Sequence, residues 1–162
     1  MGEAEYTLLE LATLISIQDK NYKQVQGIAF KEEETVIKTQ RRAVIKDLDS
    51  LPMPAWDLVD IAPYRAMWLK GSGYFSLNLG TTRGCPFKCN WCAKPIYGNR
   101  YNSRSPENVL KELTYLKQQL RFDHSWCGDD SFGLKPGWVQ AFAKLGQQEP
   151  LRFRFKIQAR AD

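Results

Sequence analysis

Three cysteines fall within eight residues, at Cys85, Cys89 and Cys92 in Gly84-Cys85-Pro86-Phe87-Lys88-Cys89-Asn90-Trp91-Cys92. A C-x3-C-x2-C loop this short can wrap its thiolates around one small inorganic centre. Thiolates are soft ligands and suit iron–sulfur clusters or zinc. Structural zinc takes four closed ligands, and this loop offers three. A zinc knuckle would have to be closed by Cys127 or His124, the remaining cysteine and the only histidine. A cubane cluster on three cysteines instead keeps one iron without a protein ligand, open to a small molecule. A structural disulfide fits poorly with such short spacings in a chain that carries no mark of secretion.

The strand-like run Phe75-Ser76-Leu77-Asn78-Leu79-Gly80-Thr81-Thr82 leads directly into the loop. Gly84 lets the backbone turn tightly, and Pro86 stiffens it at small entropic cost. Trp91 puts an aromatic face beside the third cysteine. Arg83-Gly84-Cys85-Pro86, Cys89 and the pair Trp91-Cys92 resemble the radical S-adenosylmethionine (radical SAM) superfamily. The resemblance implies a [4Fe-4S] cluster on Cys85, Cys89 and Cys92, whose open iron chelates the amino and carboxylate groups of SAM. It implies that Trp91 lies against the adenine. It further implies reductive cleavage of SAM to a 5′-deoxyadenosyl radical, with no catalytic residue separate from the cluster ligands. An electron donor such as flavodoxin or ferredoxin would supply the electron.

Composition agrees with a globular chain: 43% hydrophobic and 25% charged residues. No apolar run reaches the length of a membrane span, and the N-terminus lacks the basic-then-apolar pattern of a signal peptide. A reducing cytoplasm is the expected compartment. The net charge of +5 is uneven: residues 1–60 hold 7 Lys/Arg against 11 Asp/Glu, and residues 61–162 hold 16 against 7. The basic part is either a solvated surface or a face for an anionic cofactor or a carboxylate-bearing substrate. The expected partner is a small-molecule substrate; no nucleic-acid motif and no membrane segment is present.

At the N-terminus, Tyr6 to Ile17 reads as a helix, with Leu8, Leu11 and Ile15 on one face. Residues 27–31 and 35–39 read as a small hairpin across the polar turn at Lys31–Glu34. Residues 41–64 read as a linker, broken by Pro52 and Pro54 and packed down by Trp56 and Leu58. Gly2-Glu3-Ala4-Glu5, Gly27-Ile28-Ala29 and Asp47-Leu48-Asp49-Ser50-Leu51-Pro52-Met53-Pro54-Ala55-Trp56-Asp57 resemble the end of a cobalamin-binding domain and its connection to the barrel in the cobalamin-dependent branch of radical SAM enzymes. That family usually shows Gly-Glu-Gly-Glu, so Ala4 departs from it. Most of such a doubly wound domain would precede Met1, and the chain is expected to be a fragment cut at both ends.

Beyond the loop, Ser105 is a good N-cap with Pro106 at the first helical position. Val109, Leu110, Leu113, Leu116 and Leu120 then repeat at helical spacing. His124–Cys127 reads as a short strand entering Gly128-Asp129-Asp130-Ser131-Phe132-Gly133. A helix with Trp138, Phe142 and Leu145 follows, then an alternating strand over 151–158. Repeated βα units imply a parallel sheet with right-handed crossovers. The fold class is α/β. By resemblance it is the first half of a radical SAM partial (β/α)6 TIM-like barrel at 75–162, preceded by a cobalamin-domain remnant at 1–48 and a linker at 49–74.

In a parallel barrel, chemistry sits on loops at strand C-termini. The cysteine loop, Asp129-Asp130 and Gln158-Ala159-Arg160 all fall there. In many radical SAM proteins the loop after the second strand contacts the SAM amino group, so the resemblance puts Asp129 or Asp130 against the ammonium. The alternative is that one aspartate caps the turn and the other is solvated. Arg160 would face the SAM carboxylate or a substrate acid group. Residues 91–98, 104–109 and 129–134 narrow the resemblance to anaerobic magnesium-protoporphyrin IX monomethyl ester cyclase-like enzymes. A tetrapyrrole or another natural product is the implied substrate, through cyclase or C-methyltransferase chemistry, with cobalamin as a cofactor of the full-length protein. The rival readings are a zinc-stabilised module without catalysis and an electron-transfer protein, the latter needing a four-cysteine cage.

Overall fold

The computed structural model describes residues 1–94, 96–148, 152 and 154–160. The chain divides into two compact units: Met1–Lys46 with Pro86–Asn99, and Asp47–Cys85 with Arg100–Asp162.

In the first unit, α1 spans Glu5–Ser16 and buries Thr7 and Leu14. Strands β1 (Ala29–Glu32) and β2 (Thr35–Lys38) form an antiparallel hairpin with Ala29 opposite Lys38. The acidic tetrapeptide at the start helps hold this unit together, because buried Glu3 accepts a hydrogen bond from the Ile45 amide at 2.5 Å. Gly27 has φ +83°, and a Cβ there would meet the Met1 carbonyl at 3.2 Å, so the close approach requires glycine. In the 86–99 segment, Lys94 donates to the carbonyl of Phe87 and to Asn99 Oδ1, and Arg41 donates to the Ile96 carbonyl.

The second unit opens with two single 3-10 turns, Leu48–Ser50 and Trp56–Leu58. Helix α2 follows over Ile61–Ser72. Proline content alone makes this stretch read as linker, and the structure corrects that over its second half. Asp60 caps the helix by accepting from the Ala62 amide, Pro63 lies in the tolerant first turn, and Gly73 ends it in the left-handed conformation. The helix has no buried residue, so it lacks the apolar stripe that periodicity detects.

Strand β3 (Ser76–Leu79) begins the parallel layer. It pairs with β6 (His124–Cys127), which pairs with β7 (Phe155–Lys156), in the order β3-β6-β7. Register sets Ser76 opposite His124 and Leu79 opposite Cys127. Of the strand expected over 151–158, Phe155–Lys156 is formed; Leu151 and Phe153 lie outside the described residues, as does Pro95. Helix α3 (Pro106–Leu120) crosses from β3 to β6, and α4 (Trp138–Gln148) crosses from β6 to β7. Val109, Leu113 and Leu116 of α3 pack on Phe75, Leu77, Leu79 and Phe122, with Phe132 and Trp138 completing the core. Leu→Ala inside such a cluster costs about 2–5 kcal/mol. Two further strands, β4 (Thr82–Arg83) and β5 (Asn102–Ser103), form a small antiparallel ribbon.

Candidate functional site

The β4–β5 ribbon closes the base of the cysteine loop. Thr82 pairs with Ser103 and Arg83 with Asn102, so the chain enters the loop from β4 through Gly84 and leaves it into β5. Gly84 has φ +84°, the left-handed turn that the motif glycine allows. The Arg104 amide donates to the Thr81 carbonyl at 2.9 Å, and its guanidinium donates to the Gly80 carbonyl at 3.0 Å. The two stems are thereby tied to each other and to the end of β3.

Asp129 adds a second tie. Its Oδ1 accepts from the amides of Thr81 at 2.7 Å and Thr82 at 2.9 Å, and its Oδ2 accepts from Thr81 Oγ1. The residue is 2% exposed. Of the aspartate pair expected to meet the SAM ammonium, Asp129 thus spends its carboxylate on the loop stem. Asp130 is exposed. On the exit stem, the Tyr101 hydroxyl accepts from the Leu134 amide at 3.0 Å. Burial pushes the Tyr101 phenol above its usual range, and the negative Asp129 adds to this.

A third group of contacts holds the segment after Asp47 against α3. Asp49 accepts from the Ser105 amide at 2.9 and 3.2 Å, while Ser105 Oγ accepts from the Asn108 amide at 3.1 Å as the expected N-cap. Glu112, 2% exposed, pairs with Arg104 at 2.5 Å and accepts from Trp56 Nε1 at 3.2 Å. Asp49, Trp56, Arg104, Asn108 and Glu112 border a cavity of about 420 Å³ beside the end of β3, which Asn78, Arg83 and Lys111 also line. Sequence reading missed Glu112 and Arg104. The signal for Glu112 was its place three residues after Val109, on the buried stripe of α3.

All four cysteines are thiols: Cys89 and Cys92 are exposed, Cys85 is half-buried, and Cys127 is buried in the core. The Cys92 amide donates to the Cys89 carbonyl at 3.2 Å. Among the described residues, no three His, Cys, Asp or Glu side chains are gathered closely enough to hold a metal ion. The donor set nonetheless fits a cluster, since three thiols occupy a non-helical, non-strand loop whose stems are fixed. Burial, then the charge of Asp129, pushes the Cys127 thiol up to about 12, which keeps it neutral and a poor ligand. His124 Nδ1 shares a hydrogen bond with Ser76 Oγ at 2.9 Å. Trp91 is 89% exposed, and Arg160 is exposed past β7.

No described helix is long and apolar enough to cross a membrane. Residues 79–160, half of the chain, match the family model described as the radical SAM superfamily. An uncharacterized methyltransferase of Pyrococcus horikoshii is 31% identical over 134 residues, which is 82% of this chain and 28% of that protein. The anaerobic magnesium-protoporphyrin IX monomethyl ester cyclase of a Synechocystis species is 34% identical over 116 residues, 71% of this chain and 22% of that protein. The chain therefore spans about a quarter of the curated relatives it matches. Among solved structures, the cobalamin-dependent S-adenosylmethionine radical enzyme OxsB, with aqua-cobalamin and S-adenosylmethionine bound, superposes with a TM-score of 0.71 at 23% identity, covering 95% of this chain and 21% of that one. That likeness shows a shared mixed α/β fold. With the family model running from the last residue of β3 through the cysteine loop, α3 and β6, the chain belongs to the radical SAM superfamily.

Proposed function

We propose that this chain carries the cluster- and SAM-binding part of a cobalamin-dependent radical SAM enzyme of methyltransferase or cyclase type. The observation that carries the reading is the cysteine triplet on a loop rooted at the C-terminal end of a parallel strand, where α/β layers place their ligand sites. On this reading 75–162 is the first half of a partial (β/α)6 barrel, and 1–48 ends a cobalamin-binding domain.

Cys85, Cys89 and Cys92 would hold a [4Fe-4S] cluster, which when bound supplies the electron that cleaves SAM to a 5′-deoxyadenosyl radical. The chain's own side chains bind and orient. The exposed Trp91 ring offers an apolar face for the adenine. Asp130 offers a carboxylate to the SAM ammonium, and Arg160 a guanidinium to a carboxylate. The substrate class is a tetrapyrrole or another natural product, with the electron delivered by a small redox protein such as flavodoxin or ferredoxin.

The test is anaerobic reconstitution with iron and sulfide, followed by metal analysis and absorption spectroscopy. The parent is expected to turn brown and to hold several irons with sulfide. Cys85→Ala, Cys89→Ala and Cys92→Ala are each expected to abolish that cluster, and Cys127→Ala to leave it. One zinc per chain without sulfide would favour the structural module, and a normal cluster in any of the three variants would overturn the ligand assignment.

A further inference from the structure

The loop after β6 touches both stems of the cysteine loop. Asp129 takes up three donors from Thr81 and Thr82 on the entry side. Tyr101 on the exit side is held by the Leu134 amide, five residues beyond Asp129. A carboxylate 2% exposed that accepts two backbone amides and a hydroxyl is a strong, charge-assisted anchor. Loss of that acceptor would leave buried amides unsatisfied at the point where the chain turns toward Cys85.

We infer that Asp129 and Tyr101 are positioning residues: the 128–134 loop grips both stems from which the cysteine loop springs, and Asp129 does this without touching SAM. The inference deepens the cluster-binding reading and assigns a division of labour within the aspartate pair. Asp129 holds the stem, and Asp130 is left to the ligand.

The chemistry of asparagine separates the two roles. In Asp129→Asn, Oδ1 still accepts from both amides, and Nδ2 can donate to Thr81 Oγ1, which then accepts. The grip survives while the charge is lost. Asp129→Ala removes the grip altogether.

Three readouts are taken on parent, Asp129→Asn, Asp129→Ala, Asp130→Asn and Tyr101→Phe. They are amide exchange at Thr81 and Thr82 in the apo chain, iron per chain after reconstitution, and SAM affinity by equilibrium dialysis. Asp129→Ala is expected to speed exchange at both amides by roughly fivefold to a hundredfold and to lower iron uptake. Asp129→Asn is expected to keep iron uptake and SAM affinity within about twofold of the parent, with exchange at the two amides rising less than in Asp129→Ala. Tyr101→Phe is expected to lower iron uptake with the Thr81 and Thr82 amides still protected, and Asp130→Asn to weaken SAM affinity with iron intact. A full cluster in Asp129→Asn together with a tenfold or greater loss of SAM affinity would overturn the inference, because the charge would then be meeting SAM. Unchanged exchange in Asp129→Ala would overturn it too. Should Asp129→Ala not fold, Thr81→Val, which removes the Oγ1 contact alone, is expected to loosen the Thr81 amide; unchanged exchange there also counts against the grip. A parent that takes up no iron would sink the cluster reading instead, and the exchange data would still decide the grip.

Discussion

The four cysteines lie in two environments: Cys127 is buried in the core, while Cys89 and Cys92 are exposed on the loop and Cys85 is half-buried at its start. Cysteine spacing alone separates the loop triplet from Cys127, because three thiols in eight residues are a local pattern. The aspartate pair needed more. Ser125 and Cys127 are the buried residues of β6, and Asp129 continues that parity inward while Asp130 points the other way. Parity was therefore available in the sequence, but only to a reader who extends the strand's alternation into the loop. The Cys127 environment gives a direct test. With its thiol raised to about 12 by burial and by Asp129, Cys127 should resist iodoacetamide at pH 8 while Cys89 and Cys92 react, read by peptide mass spectrometry. The linkage has a definite sign. Below the ordinary thiol value, folded and unfolded chains both hold the proton; as pH climbs from about 9 toward 12 the unfolded chain loses it first, so stability falls across that window. Alkylation of Cys127 at the rate of Cys89 would contradict its burial.

Elements were legible in proportion to their periodicity and their caps. Helix α3 begins at Pro106 behind the Ser105 cap and carries a clear apolar stripe, so its extent followed from sequence. The β4–β5 ribbon did not, since two-residue strands have no alternation to read. Helix α2 was hidden for a related reason: none of its residues is fully buried, and only Asp60 and Gly73 mark its ends. Besides the Asp49 contact with the Ser105 amide, the 47–58 segment is seated on α3 through Trp56 and Glu112, and the loss of Glu112 should be large. Glu112→Ala would leave the mostly buried Arg104 without its counter-charge, at a cost of about 3–5 kcal/mol, whereas Trp56→Phe removes one hydrogen bond at about 1 kcal/mol. Urea unfolding midpoints would measure both. Equal, small shifts would mean that the segment is held by packing rather than by this network.

At the scale of the whole molecule, the two units carry different shares of the proposed chemistry. The second holds three parallel strands with crossover helices, and its strand ends bear β4, the Asp129 loop and the approach to Arg160. In the first, the described strands are a four-residue antiparallel pair beside one helix. Cobalamin in a doubly wound domain lies in a crevice formed by the ends of several parallel strands, and one hairpin forms no such crevice. Nor does the first unit hold a histidine that could ligate cobalt from below, because His124 is the only one and sits in β6. Helix α1 also presents Leu8, Leu9 and Ile15 to solvent, an apolar face of the kind that a sheet covers in layered α/β domains. The 162-residue chain is therefore expected to load a cluster and bind SAM while failing to take up aqua-cobalamin stoichiometrically. An absorbance titration with aqua-cobalamin, run on the same reconstituted sample that is assayed for iron and for SAM binding, decides this. Saturable one-to-one uptake would show that the first unit is a working cobalamin site and that its assignment as the end of a larger domain is wrong. Iron and SAM binding without cobalamin uptake would leave the cluster reading of the cysteine loop standing and the hairpin and helix of the first unit short of a working cobalamin site.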